Sequence, residues 1–315
     1  MSHDPRWDPQ MLAVTAALAD AAAAHPPVQI QPPLEPHRAV NDLLGIQAAG
    51  PGPAIAHITD HWIPARGRRI QCRLYRPTSD EKLPLLVYLH GGGWVWSSID
   101  THDRLAREIS LISQAAVLSV DYALSPEAKF PHALEECALV VRHLAAHAAD
   151  WNIDPARIAI GGDSAGGNLA FATALLLRDT SGPALRAILA FYPVCDTDLD
   201  TPTYREFSEG YGLTTQKMRE CWDAYLGHAA DRLNPLAAPL RADLTGLPPT
   251  LIQLAELDVL RSEGENLAAK LRAARVPVTC TTYPGLAHGY IRHTARITRA
   301  HTALAEAGEW LAKTL

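Results

Sequence analysis

The chain has 315 residues, with a hydrophobic fraction of 48% and a charged fraction of 20%, enough for one large α/β domain with a substantial core. Its formal charge of −6 is spread along the sequence without a basic block, which argues against nucleic acid as a partner, because phosphate binding needs concentrated positive surface. The five cysteines (Cys72, Cys137, Cys195, Cys221, Cys280) are scattered and form no C-x-x-C pair, so neither a disulfide framework nor a thiolate zinc site is indicated; reduced thiols in a cytoplasm are the simplest account.

From the N-terminus, Met11 to Ala24 is alanine-rich and superficially resembles the apolar part of a signal peptide. It nevertheless carries Asp20 and sets Met11, Val14, Leu18 and Ala22 at helical spacing, which reads as an amphipathic helix rather than an export signal. No apolar run approaches the length of a membrane span, so no membrane partner is expected. Residues 25–53 are rich in proline (Pro26, Pro27, Pro32, Pro33, Pro36, Pro51, Pro53) and are expected to wrap over a surface. A hairpin follows, Ile58 to Ile63 and Ile70 to Tyr75 about a turn at Gly67.

Leu83 to Leu89 is a near-continuous apolar run, as in a strand buried on both faces, and it leads into His90-Gly91-Gly92-Gly93-Trp94. A helix over 100–113, a strand over 116–120 and a helix starting at Pro131 come next. Ile158-Ala159-Ile160 is a strand before Gly162-Asp163-Ser164-Ala165-Gly166, and the helix after it is apolar nearly all round, hence central. Strands are expected at 185–191, 251–254 and 278–283, and helices at 264–274 and near the C-terminus. Residues 197–235 interrupt the alternation with aromatic and charged residues and read as an insertion at the strand ends. This order predicts a mostly parallel, doubly wound α/β sheet.

The pentapeptide around Ser164 suits a nucleophile elbow: a sharp strand-to-helix turn holds the serine, and small neighbours let the helix approach the strand. A lone G-x-S-x-G is equally a glycine-rich turn, so the reading demands a base, an orienting acid and an oxyanion hole elsewhere. The triple glycine after His90 bares backbone N–H groups where no Cβ obstructs a substrate oxygen. His90 itself is assigned to pinning that loop. His288, in the loop Pro284-Gly285-Leu286-Ala287-His288-Gly289 past the last strand, stands apart from the helical histidines, and Asp258 ends the extension of the 251–254 strand. Their order, Ser164, Asp258, His288, is that of the α/β-hydrolase fold. Glu256 lies two residues before Asp258 and points the same way on an extended segment, but Asp258 is farther past the strand end and is the preferred acid.

With these residues assembled, the chain resembles the hormone-sensitive-lipase-like (bacterial family IV) carboxylesterases from about His57 to the C-terminus. The resemblance rests on His90-Gly91-Gly92-Gly93-Trp94, on Asp121 to Glu127, on Gly161 to Gly167 (GGDSAGG) and on the loop around His288. It implies a Ser164/Asp258/His288 triad, an oxyanion hole from the N–H groups of Gly92, Gly93 and Ala165, and a helical cap from residues 1–50 and about 197–235 over a catalytic domain spanning 51–315. The sequence departs from the family where Val259 and Ser262 replace proline and aspartate after the acid, and at Ala123 and Ser125. Trp94, Phe207, Tyr211 and Leu213 are pocket candidates, with packed cap core as the competing reading.

The expected function is hydrolysis of short-chain carboxylic esters through an acyl-enzyme, on a small-molecule ester and with neither metal nor cofactor; a homodimer is compatible with the sequence. The alternatives are the same triad acting on amides, lactones or carbamates, and a non-catalytic ligand-binding homologue, which would be expected to lack a triad member.

Overall fold

The computed structural model describes residues 4–25, 28–65, 67–79 and 82–315, so Pro26 and Pro27 of the proline-rich stretch and the first three residues of the 1–50 region lie outside the described residues. Two helices come first, α1 (Pro9–Ala23) and α2 (Glu35–Ala49). The first begins where the Asp8 carboxylate accepts the N–H groups of Gln10 and Met11, and it buries Met11, Val14 and Thr15. The second corrects the expectation of a merely wrapping segment. Its proline, Pro36, falls in the first turn, where a missing N–H breaks no helical hydrogen bond.

An antiparallel hairpin, β1 (His57–Pro64) and β2 (Arg69–Arg76), leads into β3 (Leu83–Leu89), α3 (Asp103–Ser113), β4 (Ala116–Val120), α4 (His132–Ala146), β5 (Ile153–Asp163), α5 (Ala165–Asp179) and β6 (Ile188–Phe191). The interrupting segment contributes α6 (Pro202–Glu206) and α7 (Thr215–Tyr225), started by hydrogen bonds to the Thr201 and Thr214 hydroxyls. The chain then returns to β7 (Thr250–Leu257), α8 (Arg261–Ala273), β8 (Val278–Ala287) and α9 (Thr298–Thr314).

Among the described residues the strands form one eight-stranded sheet in the order β1-β2-β4-β3-β5-β6-β7-β8. The β1–β2 and β2–β4 pairings are antiparallel; in the sheet from β4 to β8 every pairing is parallel. This is the α/β-hydrolase architecture. The order runs backwards from β3 to β4 and forwards from β5 onward, and right-handed crossovers put α3 on one face and α4, α5 and α8 on the other. Accordingly α3 packs on α9, and α4 packs on α5. At such a reversal the loops past the carboxyl ends of adjacent strands splay apart, leaving a crevice. The loops after β3 and β5 open there.

Register decides what meets in that crevice. Leu257 on β7 pairs with Ala287 on β8, so the next residues, Asp258 and His288, leave the sheet side by side. Asp163 on β5 pairs with Phe191 on β6, which sets Ser164 beside Tyr192. Both β7 and β8 are longer than their apolar runs, because backbone pairing continues where burial alternation fades. Conversely, β6 begins at Ile188 rather than Leu185.

Candidate active site

The turn between β5 and α5 is as tight as its glycines require. Ser164 has φ 55° and ψ −119°, a conformation an L-residue adopts only under constraint. A Cβ at Gly166 would collide with the Leu89 and His90 carbonyl oxygens of the neighbouring strand end, so only glycine permits this helix to start here. The serine N–H donates to the Phe191 carbonyl at 2.9 Å, and its own carbonyl accepts from Asn168 and Val194. Twelve of the fifteen α5 residues are buried, which agrees with its expected central place and leaves the turn little room to relax.

Around the serine, His288 Nε2 lies 2.9 Å from Ser164 Oγ, and His288 Nδ1 lies 2.8 Å from Asp258 Oδ2. The Asp258 side chain is buried, and its other oxygen accepts the Leu260 N–H at 3.0 Å. The Tyr192 ring sits against the imidazole, with centroids 4.6 Å apart. Glu256 does not reach the histidine; its carboxylate accepts the Gly285 N–H at 2.8 Å, three residues before His288.

The loop after β3 faces the serine. Gly92 (φ +119°) and Gly93 (φ +60°) line the same cleft as Ser164 and His288, and side chains there would run into the Trp96 carbonyl and Cys221. Ala165 is the first residue of α5, so its N–H has no partner within the helix. His90 is buried, with Nδ1 2.8 Å from the Gly91 carbonyl and its ring stacked on Tyr122. Burial and the neighbouring His102 push its pKa down to about 3, which keeps it neutral and fits a positioning role.

Asp163 was not singled out from the sequence and yet ties the site together. Its Oδ1 accepts the Gly91 N–H at 2.9 Å and the Tyr88 hydroxyl at 2.9 Å, with His102 Nε2 3.2 Å away. Burial alone would raise its pKa, but His102, Arg292 and Tyr88 outweigh that and hold the carboxyl well below the usual carboxylate range. A signal existed: an acid next to the proposed nucleophile, at the end of an otherwise apolar strand.

Of the four pocket candidates, Leu213 lines the cleft. The other three do not border it and make the packing contacts of the competing reading. Trp94 is fully buried and lies face to face with Tyr225 (4.3 Å, 3°), bracing the glycine loop against α7. Phe207 sits between the guanidinium groups of Arg6 and Arg261, and Tyr211 stacks on Trp7 while donating to Asp4. These aromatics seat the N-terminal segment on the insertion. The cleft encloses about 220 Å³ and is walled instead by Asn41 of α2, Trp96 and Ser97, Lys217, Met218 and Cys221 of α7, and Arg292. A larger cavity of about 700 Å³ between α4 and α5, near Pro64, contains none of the residues above, so size alone does not mark the site. Among the described residues no group of three or more His, Cys, Asp or Glu side chains is arranged to hold a metal, and no helix is long and apolar enough to cross a membrane.

A family model described as alpha/beta hydrolase fold matches residues 86–292. Carboxylesterase NlhH of Mycobacterium tuberculosis is 39% identical over 231 residues, which cover 70% of this chain and 71% of that protein. A carboxylic ester hydrolase of the same organism, LipN, is 39% identical over 257 residues, 79% of this chain and 68% of its own. Among solved structures, a thermostable esterase from Pseudomonas putida superposes with a TM-score of 0.93 at 34% identity, covering 100% of this chain and 99% of that one. With an elbow serine, a histidine and an aspartate at the ends of three parallel strands, and with these relatives, the chain belongs to the hormone-sensitive-lipase-like carboxylesterases of the α/β-hydrolase fold.

Proposed function

We propose that the protein hydrolyses short-chain carboxylic esters of small molecules through an acyl-enzyme on Ser164. The observation that carries this reading is the unbroken chain of contacts Ser164–His288–Asp258, 2.9 and 2.8 Å long, opening onto a cleft with the glycine loop on its far side. A serine hydroxyl is a weak nucleophile at neutral pH and needs a base within hydrogen-bond reach, which His288 Nε2 supplies. Asp258 accepts the Nδ1–H, fixes the tautomer and stabilises the imidazolium that forms. As Ser164 attacks, charge develops on the carbonyl oxygen, and the N–H groups of Gly92, Gly93 and Ala165 are the donors for it, each such donor being worth ~10²–10³ in rate. His288 then returns the proton to the leaving alcohol, and water repeats the sequence on the acyl-enzyme.

Residues 4–50 and 197–235 act as a cap in this reading, because Asn41, Leu213, Lys217, Met218 and Cys221 all come from them and all line the cleft. A space of about 220 Å³ favours short acyl chains. A series of p-nitrophenyl esters tests both points. Activity should peak at acetyl to hexanoyl and fall beyond roughly eight to ten carbons, and Ser164→Ala should lower kcat by ~10⁶ with the fold intact. Retention of more than a few per cent activity in that variant would reject the serine mechanism. Faster turnover of palmitoyl than of butyryl esters would reject the chain-length assignment.

A further inference from the structure

Two cations line the cleft, and the hydrolysis of a neutral ester uses neither. Arg292 lies four residues past His288, in the short turn Tyr290–His293, and borders the same 220 Å³ space as Ser164. Its Nε is buried without a hydrogen-bond partner, and none of the ion pairs among the described residues includes its guanidinium. Among the described residues one carboxylate lines the cleft, Asp163, whose Oδ1 is engaged by Gly91, Tyr88 and His102; Arg292 helps to hold it ionised but makes no ion pair with it. Arg292 therefore feels the Asp163 charge without pairing with it directly, which leaves its guanidinium free to form hydrogen bonds with an anion that enters the cleft.

The helix α2, which contributes Asn41 to the cleft, lies against that side chain. Gly45 lies in the interior of α2, where glycine costs roughly 0.5–1 kcal/mol relative to alanine. A Cβ at Gly45 would stand 2.6 Å from Arg292 Nη2, so the guanidinium lies close against the α2 backbone and would have to shift for any larger residue there. Lys217, on α7, supplies the second cation. It stands 5.3 Å over the Trp96 ring, pairs only loosely with Glu220 at 3.8 Å, and borders both the cleft and an outer hollow of about 490 Å³ between α1, α2 and Trp96. A substrate entering from that hollow passes Lys217 before it reaches Arg292 and Ser164.

We infer that the site is built for esters that carry an anionic group, a carboxylate or a phosphate, close to the scissile bond, with Arg292 as the residue that binds the anion and Lys217 as the one that draws it in. This rests on the serine-esterase reading above. A planar guanidinium matches a carboxylate or phosphate in two parallel hydrogen bonds, whereas an ammonium at the mouth acts as a point charge that raises the encounter rate. In a cleft of this size the anion is held within a few bonds of the carbonyl carbon, on either the acyl or the alcohol side.

The experiment compares kcat/KM for anionic esters with that of neutral counterparts of similar size, followed by pH-stat. Monoethyl succinate against diethyl succinate reports an anion on the acyl side; O-acetylglycolate against methyl acetoxyacetate reports one on the alcohol side. In the wild type at least one anionic member should be favoured, and its kcat/KM should fall as NaCl is raised from 20 to 500 mM while that of its neutral counterpart changes little. Arg292→Met should lower the anionic-to-neutral ratio by ~10–10²-fold, with Arg292→Lys recovering part of it. Lys217→Gln should lower the ratio by a few-fold and flatten its salt dependence. The inference is overturned if the neutral esters are favoured in both pairs, if salt leaves the anionic rates unchanged, or if Arg292→Met lowers both members of a pair equally. The wild-type salt series stands even if the Arg292 variants fail to fold. Neutral esters turned over with no preference for charge would reject this inference alone, whereas no ester turned over at all would reject the esterase reading beneath it.

Discussion

At the scale of single residues, the two carboxylates near the end of β7 perform different tasks. Asp258 touches His288, while Glu256 holds the Gly285 N–H at the start of the histidine loop. Asp258→Asn is therefore expected to lower kcat by ~10⁴, as when an imidazole loses its orienting anion. Glu256→Gln keeps an acceptor for Gly285 and should change kcat by less than ~10-fold; steady-state kinetics on one ester settles the comparison, and reversed outcomes would make Glu256 the acid. Asp163 works through the glycine loop rather than on substrate. An amide in its place offers one acceptor and no charge to face His102, so Asp163→Asn should reduce kcat by ~10–10²-fold with a smaller effect on KM. Because its pKa is depressed in the fold, the stability it confers is complete above about pH 4, the ordinary carboxylate range, and is lost as the pH falls below that. Thermal melts between pH 3 and 7 should show a shallower acid slope for the variant; identical slopes would remove Asp163 from the account.

At the scale of elements, α1 is held by the chain on both sides of it. Met11 and Val14 face the body of the domain, and Gln10 Oε1 accepts the Thr298 N–H at the start of α9. Just before the helix, Asp8 donates its N–H to the Gly285 carbonyl, Trp7 stacks on Tyr211, and Arg6 pairs with Glu206. The loop Asp4–Asp8 meets the insertion, and the helix itself rests on β8 and α9. Gly285 joins these contacts to the active site, since it has φ +71° and a Cβ there would press on the Arg6 carbonyl and the Asp8 N–H at 2.6 Å. Gly285→Ala should cost about 1–3 kcal/mol in stability and lower activity by disturbing the His288 loop as well. Differential scanning calorimetry and kcat on the same preparation check this; an unchanged melting temperature would mean that the N-terminal segment is not seated as described.

At the scale of the whole molecule, what could be read from the sequence was what short-range pattern controls. Apolar runs marked β3, β4 and the core of β5, and glycines marked the elbow and the loop after His90, because each reflects a constraint within a few residues. The triad followed from their order along the chain. The cleft was harder to see, since its walls come from α2, α7 and the turn after His288, elements that meet only once the sheet has formed. Trp94 and Phe207 looked like lining because aromatics serve packing and binding equally well, and nothing local separates the two uses. Arg292, Lys217 and Asn41 gave no local signal at all. The burial of α5 on every side has a consequence for how such an enzyme changes over time. The nucleophile is mounted on the segment that local opening reaches last, whereas α1 and α2 have more exposed faces and belong to the layer that opens first. Substitutions that reshape the walls of the cleft thus fall where the molecule is most tolerant, and the machinery that breaks the ester bond can be inherited unchanged while the choice of ester drifts.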